Sequence, residues 1–186
     1  MLQEAVLADA SYSAAAIQYR LDREATQIGF SVGDTNGRFR VVDARLGFTD
    51  PDVTTAQLEV TIATASLDLF NPLIEGMLKG ADWFDVSAHP QARFETDEVV
   101  VQSDQSLAIA GSLTIKAITQ PLNLIVRFPE SPRIPSLLAP APDRIAFEAS
   151  GTFLRSAFGM DDLMSFAPDD VALLITGELI RVAPGS

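Results

Sequence analysis

The sequence has no cysteine and a single histidine among its 186 residues. The first absence excludes disulfide frameworks, thiolate nucleophiles and cysteine-ligated zinc or iron–sulfur centres. The second excludes multi-histidine metal sites and leaves one imidazole for any acid–base step. Basic residues are also scarce, 13 against 25 acidic, for a net charge of −12. That balance argues against a nucleic-acid partner, whose phosphates demand clustered Lys and Arg. It equally disfavours electrostatic docking on an anionic membrane surface. No apolar run approaches the ~18 residues of a membrane-spanning helix. Signatures of nucleotide, calcium and acyl-transfer sites are missing too: there is no P-loop, no G-x-G-x-x-G after a strand, no EF-hand loop and no G-x-S-x-G elbow.

What the chain has in surplus is apolar side chain. Apolar residues make up 47% and charged ones 20%, and the mean hydropathy is +0.20. A chain of this length is sized for one domain of roughly 100–200 residues, able to bury ~70% of its unfolded surface without a metal or disulfide. The excess must therefore sit in a core, an oligomer interface or a binding cavity. Residues 1–16 read as an N-terminal extension preceding a domain over 17–186. They lack a basic n-region and a 7–15-residue apolar stretch, so the Ala-rich 8–16 segment is either the remnant of a processed leader or a plain extension. The absence of cysteine fits a periplasmic or a cytoplasmic protein, and the leader reading points to the periplasm.

Strand patterns dominate the rest. Gln57-Leu58-Glu59-Val60-Thr61-Ile62 alternates polar and apolar, the period of a half-buried strand. The same period recurs at Leu122, Leu124, Val126 and Phe128, at Ile145, Phe147, Ala149 and Phe153, and at Val171, Leu173, Ile175 and Leu179. Further strands are expected over 17–22, 27–33, 38–48, 92–101 and 106–116. Short turns such as Asn36-Gly37, Asp50-Pro51-Asp52 and Ser103-Asp104-Gln105 separate them. Eight or nine antiparallel strands with short connections make a barrel or a sandwich.

One segment breaks this rhythm. Phe70, Leu73, Ile74, Met77 and Leu78 fall at the spacing of an amphipathic helix. Asn71 suits its N-cap, Pro72 its first turn and Gly80 its end. The helix is expected to turn its apolar face inward and close one end of a barrel, followed by a short turn at Asp82-Trp83-Phe84-Asp85. A second irregular stretch, 131–142, carries four prolines and cannot be a central strand. Its Ile134, Leu137 and Leu138 can cover a cavity mouth, pack across a homodimer interface, or simply fold onto the outer wall.

Candidate chemistry is sparse. Asp161-Asp162 and Asp169-Asp170 can in principle hold Ca²⁺ or do acid–base work, but adjacent aspartates between strands are more commonly turn residues. His89, before Pro90, reads as a surface or capping histidine. Arg155 follows an alternating strand and precedes Phe158-Gly159. A cation there can pair with a buried carboxylate or with an anionic headgroup. No metal and no catalytic residue is expected.

Four blocks in order carry a family resemblance. They are Tyr19…Leu21-Asp22 with Ile28…Phe30…Val32; Leu78…Ala81-Asp82-Trp83-Phe84-Asp85-Val86…His89-Pro90…Phe94; Gly111-Ser112-Leu113-Thr114-Ile115-Lys116…Thr119-Gln120-Pro121-Leu122; and Gly151-Thr152-Phe153-Leu154-Arg155…Phe158-Gly159. Together they resemble the YceI-like proteins, lipocalin-like barrels of bacteria that bind polyisoprenoids. Departures are Asp34 in the region where the family carries a histidine, Ala44 and Ala117 in place of glycine, and Leu46 in place of phenylalanine. Alanine strains any left-handed turn position at 117.

The resemblance implies an all-β fold: a single antiparallel eight-stranded lipocalin-like barrel with a short helical insertion near 71–85. It implies a long isoprenoid tail threaded through an apolar interior. A barrel of that size holds side chains or one slim ligand, and strands of about 12 residues at ~3.3 Å each span ~40 Å. At ~0.8 kcal/mol per buried CH₂, a ~30–40-carbon tail nominally gains over ~20 kcal/mol, before ordering costs reduce it.

The expected function is non-enzymatic binding, transport or storage of a quinone or a prenyl pyrophosphate, the lipid being the ligand and no cofactor being needed. Inward candidates are Phe30, Val32, Leu58, Val60, Ile62, Phe94, Leu113, Ile115, Phe147 and Phe153. Phe70, Ile74, Met77, Leu78 and Phe84 are expected to close one end, and Arg155 and Phe158 complete the set, Arg155 as the headgroup candidate. The alternative is a structural or interaction barrel with a self-filled core and an apolar dimer face. An isoprenoid-modifying enzyme would need a clustered acid–base or metal site.

Overall fold

The computed structural model describes residues 16–49, 52–131, 133, 142–163 and 167–183. Residues 1–15 of the N-terminal extension read over 1–16, and Ile134, Leu137 and Leu138 of the proline-rich stretch, lie outside the described residues, while Ala16 opens the first strand. Strands run β1 Ala16–Leu21, β2 Gln27–Val32, β3 Thr35–Phe39, β4 Val42–Thr49, β5 Asp52–Ala63, β6 Leu67–Leu69, β7 Gln91–Ser103, β8 Ser106–Ile115, β9 Ile118–Arg127, β10 Arg144–Leu154 and β11 Asp170–Arg181. The one α-helix described, α1, spans Pro72–Leu78.

Every neighbouring pair is antiparallel, in the order β1-β4-β5-β7-β8-β9-β10-β11, and β11 closes the ring on β1. These eight strands form a barrel of near-neighbour connections. The remaining three extend it. β2 follows β1 along the same edge of β11, β3 continues into β4, and β6 continues β5 after a 3-10 turn at Thr64–Ser66. The barrel is therefore eight long staves, three of them interrupted. Full closure leaves no open edge within the ring.

The alternation read from the sequence is what sets the wall. In β8 every second residue, from Leu107 to Ile115, is buried, because successive side chains of a strand point to opposite faces. β7 changes phase once. A bulge between Thr96 and Glu98 places two charged residues in sequence on the outside, so that Val99 rather than Glu98 turns inward. Two glycines make room for aromatic rings laid flat on the wall. A Cβ on Gly37 would overlap the Phe30 ring, and one on Gly111 would overlap that of Phe94. Rings stacked on bare backbone cover the wall and leave the barrel axis open.

The helix forms where it is expected. Asn71 accepts hydrogen bonds from the Leu73 and Ile74 amides at 3.0 and 3.4 Å, and Pro72 opens the first turn. Its expected inward stripe is only half right. Leu78 is buried and Ile74 packs against the core. Phe70, Leu73 and Met77 are exposed, Phe70 fully. Phe70 precedes the N-cap and so never joins the helix. The two-turn helix rests one edge, Ile74 and Leu78, on the barrel and turns the opposite edge to solvent.

At the β8–β9 hairpin, Lys116 and Ala117 both adopt positive φ, 52° and 61°. This is the two-residue hairpin geometry that matches strand twist. The turn is kept, and Ala117 carries the strain that glycine would avoid.

Candidate functional site: an apolar tunnel in two chambers

Residues at inward positions of β5, β10 and β11 have the right parity for a core but are not fully buried. Leu58, Val60, Ile62, Phe147, Phe153, Leu173 and Ile175 all retain accessible surface while packing against the core. They face empty space. The interior holds two voids in series, of about 110 and 100 Å³. Four residues, Ile28, Val60, Leu124 and Ile175, belong to the walls of both and form the ring between them.

The upper chamber lies at the end that carries α1, the β8–β9 hairpin and the loop from β10 to β11. Phe30, Val32, Val60, Ile62, Phe94, Leu113, Ile115, Phe153 and Arg155, all read as candidates, line it. Leu78 and Phe84 close it from the helical segment. Its aromatic rings interlock: Phe39 meets Phe30 at 5.6 Å and Phe84 edge-on at 5.5 Å. Phe158 is buried but lines neither chamber. It supports the wall from behind, packing edge-on against Phe153 at 5.4 Å. Phe70, Ile74 and Met77 line neither chamber.

Arg155 is 1% exposed and is neither half of an ion pair nor a free cation. Its Nε donates to the Pro168 carbonyl at 2.9 Å, Nη1 to those of Met160 and Asp162, and Nη2 to that of Ala167 at 3.1 Å. The guanidinium also stacks over the Trp83 ring, 4.8 Å from its centroid. Five donors in a rigid fork suit such a cage. The group therefore clamps the β10–β11 loop over the end of the barrel.

Asp169 completes that clamp. Its carboxylate accepts from the Ser156 amide at 2.8 Å and from the Ser156 hydroxyl at 2.6 Å, and the Ser156 hydroxyl bond is the main cause holding its pKa below the ordinary value. Lys116 adds a strap, donating to the Ala81 and Gly159 carbonyls at 3.1 and 3.4 Å. Asp169 of the second aspartate pair thus serves the loop, and no cluster of metal-ligating side chains exists among the described residues. The His89 carbonyl accepts from the Thr64 hydroxyl at 2.7 Å, in the turn leading to β7. Asp34 sits on the outer face, in a groove with Arg38 and Arg40.

The lower chamber was largely missed from sequence. Of the candidates only Leu58, Val60 and Phe147 reach it. Its wall is made by Leu21, Ala44, Leu46, Phe48 and Val53 on one side, and by Val99, Leu107, Ile109, Val126 and Ile145 on the other. The period-2 signal that identified the upper wall continues into most of these residues along β4, β8, β9 and β10, and shifts phase before Val99 at the β7 bulge and after Val53 in β5. Two of the departures noted above, Ala44 and Leu46, fall here, where a small and an aliphatic side chain bound the void. Its polar lining residues are Thr26 and Thr96.

A void of this size can hold several waters at roughly 10–15 Å³ each, but a water needs 2–4 polar partners, and an apolar cavity stays dry. The fold and site together define a class: a closed up-and-down β-barrel enclosing a dry, apolar interior. A family model described as the YceI-like domain matches residues 19–179, and the chain belongs to the YceI-like family. It is 28% identical over 181 residues to a UPF0312 protein of Serratia proteamaculans, covering 91% of this chain and 89% of that one. A UPF0312 protein of Pectobacterium atrosepticum is 29% identical over 181 residues, with the same coverage.

Among solved structures, BcnA of Burkholderia cenocepacia superposes with a TM-score of 0.73 at 22% identity, covering 88% of this chain and 99% of that one. A polyisoprenoid binding domain from Saccharophagus degradans, implicated in plant cell wall breakdown, superposes with a TM-score of 0.62 at 14% identity, covering 88% and 98%. At these identities the structural likeness establishes the shared barrel.

Proposed function

We propose that this protein is a non-enzymatic carrier or store for a long-chain polyisoprenoid lipid of the quinone or prenyl-pyrophosphate type, held along the barrel axis. The observation that carries the reading is the pair of dry chambers in series, joined at a ring of four aliphatic side chains. That in-line arrangement suits a slim, flexible hydrocarbon, and the solved barrel from Saccharophagus degradans, described as a polyisoprenoid binding domain, supports it.

The voids are not a finished mould. A cavity of ~150 Å³ accommodates one benzene, so two voids near 100 Å³ are smaller than a prenyl tail. Loading therefore parts the aliphatic side chains of the wall, above all the half-buried Leu58, Val60, Leu173 and Ile175. Each buried CH₂ contributes about 0.8 kcal/mol, which leaves room for that rearrangement. The test is direct: extract the purified protein with organic solvent and identify the lipid by mass spectrometry. One prenyl lipid per chain is expected. Barrels that are lipid-free across independent preparations, and that take up no prenyl lipid when it is offered, contradict the reading and favour a self-filled structural barrel.

A further inference from the structure

Thr26 closes the interruption between β1 and β2, opposite Gly177 of β11. Gly177 is buried and occupies an inward position, between Ile175 and Leu179, which both line the interior. A Cβ built on Gly177 would stand 2.5 Å from Thr26 Oγ1, 2.8 Å from its Cγ2 and 3.0 Å from its Cβ. The threonine side chain thus occupies the space that a residue at 177 would fill inside the barrel. Its hydroxyl is buried and, among the described residues, is the one buried side-chain oxygen or nitrogen atom with no hydrogen-bond partner. The other hydroxyl of the lower chamber is spoken for: Thr96 donates to the Leu58 carbonyl and accepts from the Leu58 amide.

An unpartnered buried hydroxyl destabilises a fold that valine would fill at equal size, and an oxygen atom of a bound guest would supply the missing partner. We propose that Thr26 is a polar anchor in the lower chamber, and that it selects a guest with a neutral oxygen-bearing head, a prenyl quinone or a prenyl alcohol, over a prenyl pyrophosphate. This rests on the reading of the interior as a polyisoprenoid site and narrows it. Among the described residues Arg155 is the one charged side chain on either chamber wall, and four carbonyls already hold it. A pyrophosphate buried there would bring its charge into an apolar space without a cation to meet it. A carbonyl or hydroxyl asks for one hydrogen bond, and Thr26, whose Oγ1 is shielded from the void, gives one by turning its side chain toward the guest as the wall parts. The guest's head then sits in the lower chamber just below the Ile28–Val60–Leu124–Ile175 ring, and its tail runs up through that ring toward Trp83.

Three probes test this on the full chain: a long-chain prenyl benzoquinone, squalene as an isoprenoid without a polar head, and farnesyl pyrophosphate. Binding is read by native mass spectrometry. Thr26→Val is expected to weaken quinone binding on the order of 3–10-fold, the loss of one neutral hydrogen bond, and to leave squalene binding unchanged. The thermal midpoint of its ligand-free form should be equal to or above that of the wild type. Thr26→Ser, which keeps the hydroxyl, should restore quinone binding. Equal loss for quinone and squalene, no loss for either, or a pyrophosphate bound as tightly as the quinone overturns the assignment. A wild-type protein that takes squalene but not quinone overturns this inference alone; one that takes neither probe overturns the polyisoprenoid reading itself.

Discussion

The two chambers differ in a way their shared shape conceals. The upper one is aromatic, with Phe30, Phe39, Trp83, Phe84, Phe94 and Phe153 in its wall, and it holds a buried cation. The lower one is mainly aliphatic and holds a buried hydroxyl. By charge alone the arginine is the stronger candidate for a ligand contact. Counting hydrogen bonds reverses that order. Arg155 spends its donors on four carbonyls of the loop it closes, whereas the Thr26 hydroxyl has no partner. A polar group in a closed interior is available to a guest only to the extent that the fold has left it unsatisfied.

The sharpest way to break the comparison is at its structural pole. Arg155→Ala removes the clamp and strands its carbonyls, and should lower stability by about 3–5 kcal/mol, from the loss of several charge-assisted hydrogen bonds and the carbonyls left unpaired. Calorimetry would show it as a fall in the melting midpoint. Arg155→Lys should not rescue it, because an ammonium cannot reproduce the fork. If Arg155→Ala melts like the wild type but loses lipid, the arginine belongs to the ligand and the two chambers exchange roles.

The next effect is at the junction. Val60→Trp fills the ring common to both voids. Overpacking costs about 1–3 kcal/mol of stability, and binding of long prenyl chains should fall at least tenfold while short-chain analogues still bind in one chamber. Equal affinity across chain lengths, measured by competition, would mean that the chambers act separately. The smallest effect is at the upper rim. Ala117→Gly relieves a left-handed residue and should stabilise the protein by about 1 kcal/mol, read as a small rise in the melting midpoint, without changing lipid binding. A change in binding would show that the rim strain reaches the interior.

Much of the architecture is legible in the residues, because a strand half-buried in a wall must alternate, and β5, β8, β9 and β10 do. The helix is legible for a local reason as well: Asn71 and Pro72 act within one turn. The orientation of its stripe was not, since the pattern of Phe70, Leu73 and Met77 cannot show how much of a short helix the barrel covers. Arg155 was singled out, but its partners are backbone carbonyls at 160, 162, 167 and 168, which carry no side-chain signature. The lower chamber escaped for another reason. Leu107, Ile109, Val126 and Ile145 alternate like ordinary core, and nothing in an alternating pattern distinguishes a filled barrel from a hollow one. Thr26 is likewise mute in sequence. Its meaning comes from Gly177, some 150 residues away along the chain, whose missing side chain it replaces.

The central claim is that a foreign hydrocarbon passes from one chamber into the other along the barrel axis. A crystal structure of the protein loaded with a long-chain prenyl quinone tests it most directly. The account predicts continuous density for one tail, from beside Thr26 through the ring of Ile28, Val60, Leu124 and Ile175 to the face of Trp83. An interior in which those four side chains meet across the axis, with the lipid bound outside the wall or absent, would contradict it.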